Sequence, residues 1–414
     1  MTIFEKYQDD LTLGKKVVLG VQHTFTMFGA TVLVPILTGL DIGVALFMAG
    51  VCTLWFHLAT KGKVPIFLGS SFAFIAPIVA VSAAYGIEYA QGGIVISGLI
   101  YLIFAVLAYF IGVKRIMSLF PPIITGPIVI IIGLMLAPIA IGSAQENWLI
   151  AIIAFLTVAI VSIFCKGFIK LLPVICGLVV GYIAAIIAGI VDFTPIKEAA
   201  WIGLPKFNIA KFNMNAILII APVAIATIVE HLGDMTNIKA LTGEKIDPFK
   251  NPGVHRTLLG DGIASSISAM FGGPANTTYS ENSGVMALTR VYNPVVMRIA
   301  ACFAILLSFF PKLNAIISTI PGPVIGGISI VLFGMIASVG ARNLVENKVD
   351  FKQPRNLFIF AVIMVLALGG AAPAWIINES LTLALSPLAL AAIVGITLNK
   401  LLPEKKEEAG QKAS

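Results

Sequence analysis

Residues 272–290 read GGPANTTYSENSGVMALTR, between the apolar runs LLGDGIASSISAMF before it and VVMRIAACFAILLSFF after it. The stretch is too polar for a helix facing lipid, yet it falls where a membrane span is due. Its first part, Ala275 to Glu281, is short, rich in Thr and Tyr, and preceded by Gly-Gly-Pro. This pattern predicts an extended segment leading into a helix that starts near Asn282. Such a break exposes backbone N–H and C=O groups at membrane depth, which is tolerated only where they line a cavity or meet a ligand. Glu281 then sits at a helix N-terminus, where the peptide dipoles favour an anion.

That a membrane surrounds this segment follows from composition. The 414 residues are 58% hydrophobic and 11% charged, with a mean hydropathy of +1.00. Soluble domains carry roughly a quarter charged residues, so a soluble fold is excluded. The net charge of +7 is spread as single or paired basic residues between apolar runs. That suits topology-setting loops and argues against a nucleic-acid partner. Cys52, Cys165, Cys176 and Cys302 lie in apolar runs without metal-ligand spacing, and HExxH is absent, so no metal, cofactor or enzymatic centre is expected. The polar start lacks a cleavable secretory signal.

Eleven apolar runs are candidate spans, and three shorter or more polar segments, 65–84, 258–271 and 277–291, bring the count to about fourteen. The candidates are 17–40, 42–60, 65–84, 92–113, 119–141, 148–165, 171–191, 215–235, 258–271, 277–291, 295–310, 316–339, 357–368 and 381–402. Alternate loops hold most of the basic residues, among them Lys61, Lys63, Lys114, Arg115, Lys166, Lys170, Lys245, Arg256, Arg342 and Lys352; the exceptions are Lys312 and the midpoint Lys197, Lys206 and Lys211. Both termini join this set through Lys6, Lys15, Lys400 and Lys405. Positive loops stay cytoplasmic, which predicts a multi-pass protein with both termini inside. The midpoint segment from Asp192 divides the chain nearly in half. Residues 119–137 align with 319–337, with identities at Pro121/Pro321, Gly126/Gly326, Ile128/Ile328, Ile130/Ile330, Met135/Met335 and Ala137/Ala337. With an odd number of spans between equivalents, the halves run in opposite directions, as in secondary transporters. The expected units are 1–191, a connector 192–214, 215–402 and a cytoplasmic tail 403–414.

Ionisable residues at membrane depth cost at least about 2.5–3.5 kcal/mol, so each needs an explanation. Glu230 and Asp234 are one turn apart and share a helix face, with His231 turned about 100° away. Two carboxylates this close repel, and one proton can be shared between them, as proton coupling requires. The alternative for Asp234 is that the helix has already reached cytoplasmic water, because TNIKALTGEK follows; His231 could equally be a structural histidine. Gly69, Ser70 and Ser71 interrupt another apolar stretch, VPIFLGSSFAFIAP, and Phe72 follows them. Close packing through small residues explains that interruption as well as a second broken span does, but one break in each half favours a transport site. Gln22, His23 and Asp261 could brace such a site or be purely structural.

Together QHTFTMFGATVLVP (22–35), KGKVPIFLGSSFAFIAP (61–77), EHLGD (230–234) and NTTYSENSGVMALTRVY (276–292) resemble the nucleobase–ascorbate transporter family of nucleobase:cation symporters, and within it the bacterial members that carry uracil. The family signature is matched by Glu281, Asn282, Gly284, Thr289 and Arg290. The resemblance implies fourteen spans in two inverted seven-span repeats, a core and a gate domain, and a short strand in each of the broken spans 3 and 10. It further implies uracil import by proton symport across the cell (inner) membrane, with a possible homodimer. Glu230 and Glu281 match the glutamates that hydrogen-bond the pyrimidine, and Phe72, Tyr279 and Ser280 match the aromatic and backbone contacts. Two departures leave a purine open: purine-carrying relatives commonly have an acid at the position of Asp234 and an Asp at that of Asp261. Those relatives also tend to have Gln at the position of Glu281. An anion transporter or channel on a related fold remains the competing class.

Overall fold

The computed structural model describes residues 11–112, 115, 118–167, 169–378 and 381–403. The expected tail from residue 404 onward, with Lys405, and the N-terminal Lys6 and loop Lys114 lie outside them. In chain order the described elements are α1 (Leu13–Thr38), α2 (Ile42–Ala59), β1 (Leu68–Ser70), a 3-10 turn (Phe72–Phe74), α3 (Ile75–Tyr85), α4 (Ile87–Ile111), α5 (Pro122–Met135), α6 (Ala137–Gln145), α7 (Trp148–Phe164) and α8 (Pro173–Ile187). The short α9 (Thr194–Glu198) lies in the midpoint connector. The second half holds α10 (Met214–Ile220), α11 (Ala224–Leu241), α12 (Val254–Met270), β2 (Asn276–Thr278), α13 (Ser280–Thr289), α14 (Pro294–Ser308), α15 (Pro311–Ser318), α16 (Gly322–Glu346), α17 (Pro354–Leu368), β3 (Ala374–Asn378), β4 (Leu381–Ala384) and α18 (Pro387–Leu401).

Helix starts follow the local chemistry. Asp41, Asn147, Asn213, Asn293 and Ser386 each precede a helix and accept a first-turn N–H with the side chain. Among the described residues, 6 helices are long and apolar enough to cross a membrane, or up to 7 if the pair α14 and α15, bent by 83°, is one span. Shorter apolar helices, including α7, α8, α17 and α18, add to these. The result is a helical, multi-pass membrane fold.

Close helix contacts run through glycine. A Cβ on Gly98 of α4 would lie 2.3 Å from the Gly262 carbonyl of α12, and one on Gly262 would lie 2.5 Å from Tyr101 Cβ. A larger residue at either position would separate the two helices, which is how small residues hold membrane bundles together. Likewise α5 and α16 meet at Gly133 against Phe333 O and at Gly340 against Gly126 O. As numbering rises along α5 it falls along α16, so these two helices run antiparallel. Two packing groups result: α1, α2, α4, α12 and α14, and separately α5, α6, α7, α8, α16, α17 and α18.

Two expectations change. The short strands implied for the two broken spans are present and pair antiparallel, β1 with β2, but the rest of the chain is not wholly α-helical, because β3 also pairs antiparallel with β4. The candidate span 381–402 shortens to α18, because LTLA (381–384) forms β4. Its alternation of larger and smaller residues has the period of a strand, which a hydropathy window averages away.

Candidate functional site

β1 and β2 are three residues each, in the register Leu68–Thr278, Gly69–Thr277 and Ser70–Asn276. Ser71 N donates to Ala275 O at 2.9 Å and Tyr279 N to Phe67 O at 3.0 Å, which extends the ladder at both ends. All six strand residues are buried. Because the strands are antiparallel, the helix after each one starts at an opposite end of the ladder, leaving two helix N-termini beside it. Gly69 is required here: a Cβ would lie 2.4 Å from the Tyr279 ring.

Side chains then fix the break in place. Tyr279 Oη donates to Ser70 O at 3.1 Å, and Ser70 Oγ donates to Thr31 O of α1 at 3.0 Å. Ser265 of α12 accepts Asn276 N and donates to Asn276 O, so β2 is held from that side too. Asn282 Nδ2 donates to His23 Nδ1 at 3.0 Å and to His23 O at 3.2 Å, using both amide hydrogens. His23 Nδ1 is therefore an acceptor, and the ring carries its proton on Nε2.

The carboxylates gather around this ladder. Asp234 accepts Thr278 Oγ1 on Oδ2 and Ser280 Oγ on Oδ1, the latter at 3.1 Å. Tyr279 between them is extended, so Thr278 at the end of β2 and Ser280 at the start of α13 turn to one side. Glu230, one turn earlier on α11, is half-buried, whereas Ser280 and Glu281 are exposed. Glu230 lies near enough to Asp234 and Glu281 to be repelled by both. Gly233 and Gly284 are exposed, and a Cβ at either would meet nothing within 4 Å. The accessible stripe thus runs along α11 through Glu230 and Gly233 and along α13 through Glu281 and Gly284. Carboxylates on such a stripe are sensible only beside water or a polar ligand, not beside lipid.

Not every candidate lies on this stripe. His231 points away from it: Nδ1 is 2.8 Å from Asp261 Oδ2 and Nε2 is 3.0 Å from Thr257 Oγ1. Phe72 is half-buried, with its ring 6.2 Å from that of Phe333 on α16. Tyr279 is only 3% exposed, with its ring committed to Gly69. Its flat face is therefore not offered at the stripe. Gln22 is half-buried beside His23, and its carbonyl accepts Thr26 Oγ1. Thr289 and Arg290 close the far end of α13, with Arg290 in a left-handed conformation at φ 55°. They end the helix and do not reach the carboxylates.

Sequence reasoning passed over Thr278, Thr257 and Thr31. Thr278 was within reach: once 275–281 is read as extended, alternation pairs it with Ser280. Thr257 and Thr31 look like ordinary helix threonines until the neighbouring helix is placed.

The profile of the Permease family matches residues 14–374. A uracil permease of Bacillus caldolyticus is 42% identical, covering 97% of this chain and 95% of its own. A uracil permease of Bacillus subtilis (strain 168) is 41% identical, over 94% of this chain and 92% of its own. Among solved structures, the transmembrane domain of a cyanobacterium bicarbonate transporter, BicA, superposes with a TM-score of 0.63 at 18% identity, covering 94% of this chain and 97% of that one. At such low identity the likeness concerns the fold.

Proposed function

The chain belongs to the Permease family, and from that premise we propose that it imports uracil across the cell membrane by proton symport. The observation that carries this reading is the pair Glu230 and Glu281, accessible where two broken spans meet through paired strands. Relatives named as uracil permeases match along nearly the whole chain, which makes it a transporter rather than an enzyme.

Uracil presents N–H donors and C=O acceptors on a flat edge. An ionised carboxylate only accepts, while a protonated one can also donate. Glu281, exposed at a helix N-terminus, accepts from ring N–H groups. Both oxygens of Asp234 already accept hydroxyls, so Glu230 is the member of the pair free to take up a proton and donate it to a carbonyl. Proton coupling then lies with Glu230 and Asp234, with His231 beside them. Phe72 contributes flat contact, and Tyr279 and Ser280 contribute backbone.

The same reading takes the chain as fourteen spans in two inverted repeats, 1–191 and 215–402, joined outside the cell by 192–214, with both termini cytoplasmic. Support comes from Pro121 and Pro321, aligned in sequence, each standing before the first residue of a helix. Those helices, α5 and α16, pack antiparallel, as do β1 and β2. The two packing groups are read as core and gate domains.

Equilibrium binding of labelled uracil to the purified protein tests the site. A hydrogen bond to a charged group is worth about 1.5–3 kcal/mol, so Glu281→Gln should weaken binding by at least about tenfold. The acid at position 234 favours one second reading, a purine substrate. Displacement by xanthine but not by thymine would replace uracil with a purine, and unchanged binding in Glu281→Gln would remove Glu281 from the site.

A further inference from the structure

His231 and Asp261 are each 0% exposed, and neither lies on the accessible stripe. Around them stand the ring of Phe56, 6.5 Å from that of His231, and the ring of Tyr101, 6.3 Å from it, both edge-on. Cys52 of α2 donates to Ala264 O at 3.2 Å, on α12 three residues after Asp261. Glu230 and Asp234 flank His231 on its own helix, and Glu281 is near enough to repel both. The pair therefore sits in a collar of Phe56, Tyr101 and Cys52, with three carboxylates near it.

The hydrogen bonds around the pair assign its protons, starting from the Thr257 hydroxyl. Thr257 Oγ1 donates to Val254 O at 3.0 Å, and a hydroxyl has one hydrogen to give. While Thr257 gives that hydrogen to Val254 O, its contact with His231 Nε2 runs the other way, from Nε2–H to the threonine oxygen. One further proton lies in the 2.8 Å bond between Nδ1 and Asp261 Oδ2, on nitrogen or on oxygen. Either way the pair is net neutral and holds a single extra proton. Removing it would leave an unpaired charge in the collar, and adding another would do the same.

We infer that His231 and Asp261 are positioning residues for the Glu230 site, holding a proton that is not the transported one. On a helix, 100° per residue separates the directions of neighbours. Anchoring His231 on α12 turns Glu230 toward the open stripe and brings Asp234 to Thr278 and Ser280. The bond from His231 to Asp261 thus sets the rotation of α11. This rests on the symport reading above and assigns His231 a fixed part within it.

The test compares Asp261→Asn, Asp261→Leu and wild type in proteoliposomes. Proton-driven uptake is measured as KM, Vmax and pH profile, counterflow exchange is measured without a gradient, and Tm is measured on the purified proteins. An Asn carbonyl can accept from Nδ1–H while Thr257 turns its hydroxyl to Nε2, so the geometry survives without the extra proton. Asp261→Asn should then keep KM within about twofold and leave the pH profile and accumulation unchanged. Asp261→Leu strands His231, and should raise KM at least about tenfold and lower Tm. Loss of accumulation in Asp261→Asn with counterflow preserved would overturn the inference, since the pair's proton would then be the transported one. A wild-type KM and Tm in Asp261→Leu would also overturn it. Absence of uptake by wild type itself would defeat the transport reading instead, and the Tm comparison would still decide whether the pair braces α11.

Discussion

Gly69 shows how a single residue ties the chemistry to the fold. With Tyr279 packed where its Cβ would be, Gly69→Ala must push the ring away and break the Tyr279 bond to Ser70 O. Overpacking of this kind costs about 1–3 kcal/mol, so the purified variant should show a lower Tm than wild type. Gly284→Ala is the counterpart. Nothing lies within 4 Å of a Cβ there, and alanine is the better helix former by about 1 kcal/mol. Its Tm should match or exceed that of wild type. A loss of stability at Gly284 equal to that at Gly69 would contradict the open stripe. Thr278 makes a third case: Thr278→Val keeps the strand shape but removes a donor from Asp234, freeing that oxygen to compete with Glu230 for a proton. Uptake should fall severalfold while binding of uracil to the purified protein changes less.

Among the elements, the broken spans were readable before the structure and their partners were not. Gly-Gly-Pro followed by Asn-Thr-Thr is too polar and too poor in helix formers for lipid, so 275–281 announces an extended segment. What it pairs with depends on a register across more than two hundred positions of chain, and three residues carry no pattern that could select it. The Glu230–Asp234 spacing was legible because a helix has a fixed period. The turning of His231 toward Asp261 was not, because the rotation of α11 is decided by α12. The connector was legible only as a polar divide. It proves to be a strap: Ala210 N bonds Met270 O, Lys211 N bonds Glu88 O, and Asn208 exchanges amide hydrogen bonds with Gln91. Gly272 lies beneath it at φ 96°, where a Cβ would meet Asn208 Oδ1 at 2.0 Å. Gly272→Ala therefore combines backbone strain with a clash and should cost about 1–3 kcal/mol. Asn208→Gly on the same background should restore only the part due to the clash, as read from the Tm of the single and double variants.

For the molecule as a whole, the proposed inverted repeat rests on most basic residues falling in alternate loops and on the antiparallel packing of α5 and α16. If both termini are cytoplasmic, a cysteine at Lys245 should label only from the inner side of sealed vesicles, and one at Lys197 only from the outer side. The reverse pattern would invert the topology without touching the site. Symport requires that substrate and proton move together. The measurement is uptake of labelled uracil into proteoliposomes under an imposed pH difference, with the interior pH recorded simultaneously. With a fixed interior, the initial rate should fall as exterior pH rises, uracil should accumulate above its external level only when the exterior is the more acidic side, and each burst of uptake should acidify the interior. Uptake that merely equilibrates, indifferent to the gradient and without proton entry, would contradict symport.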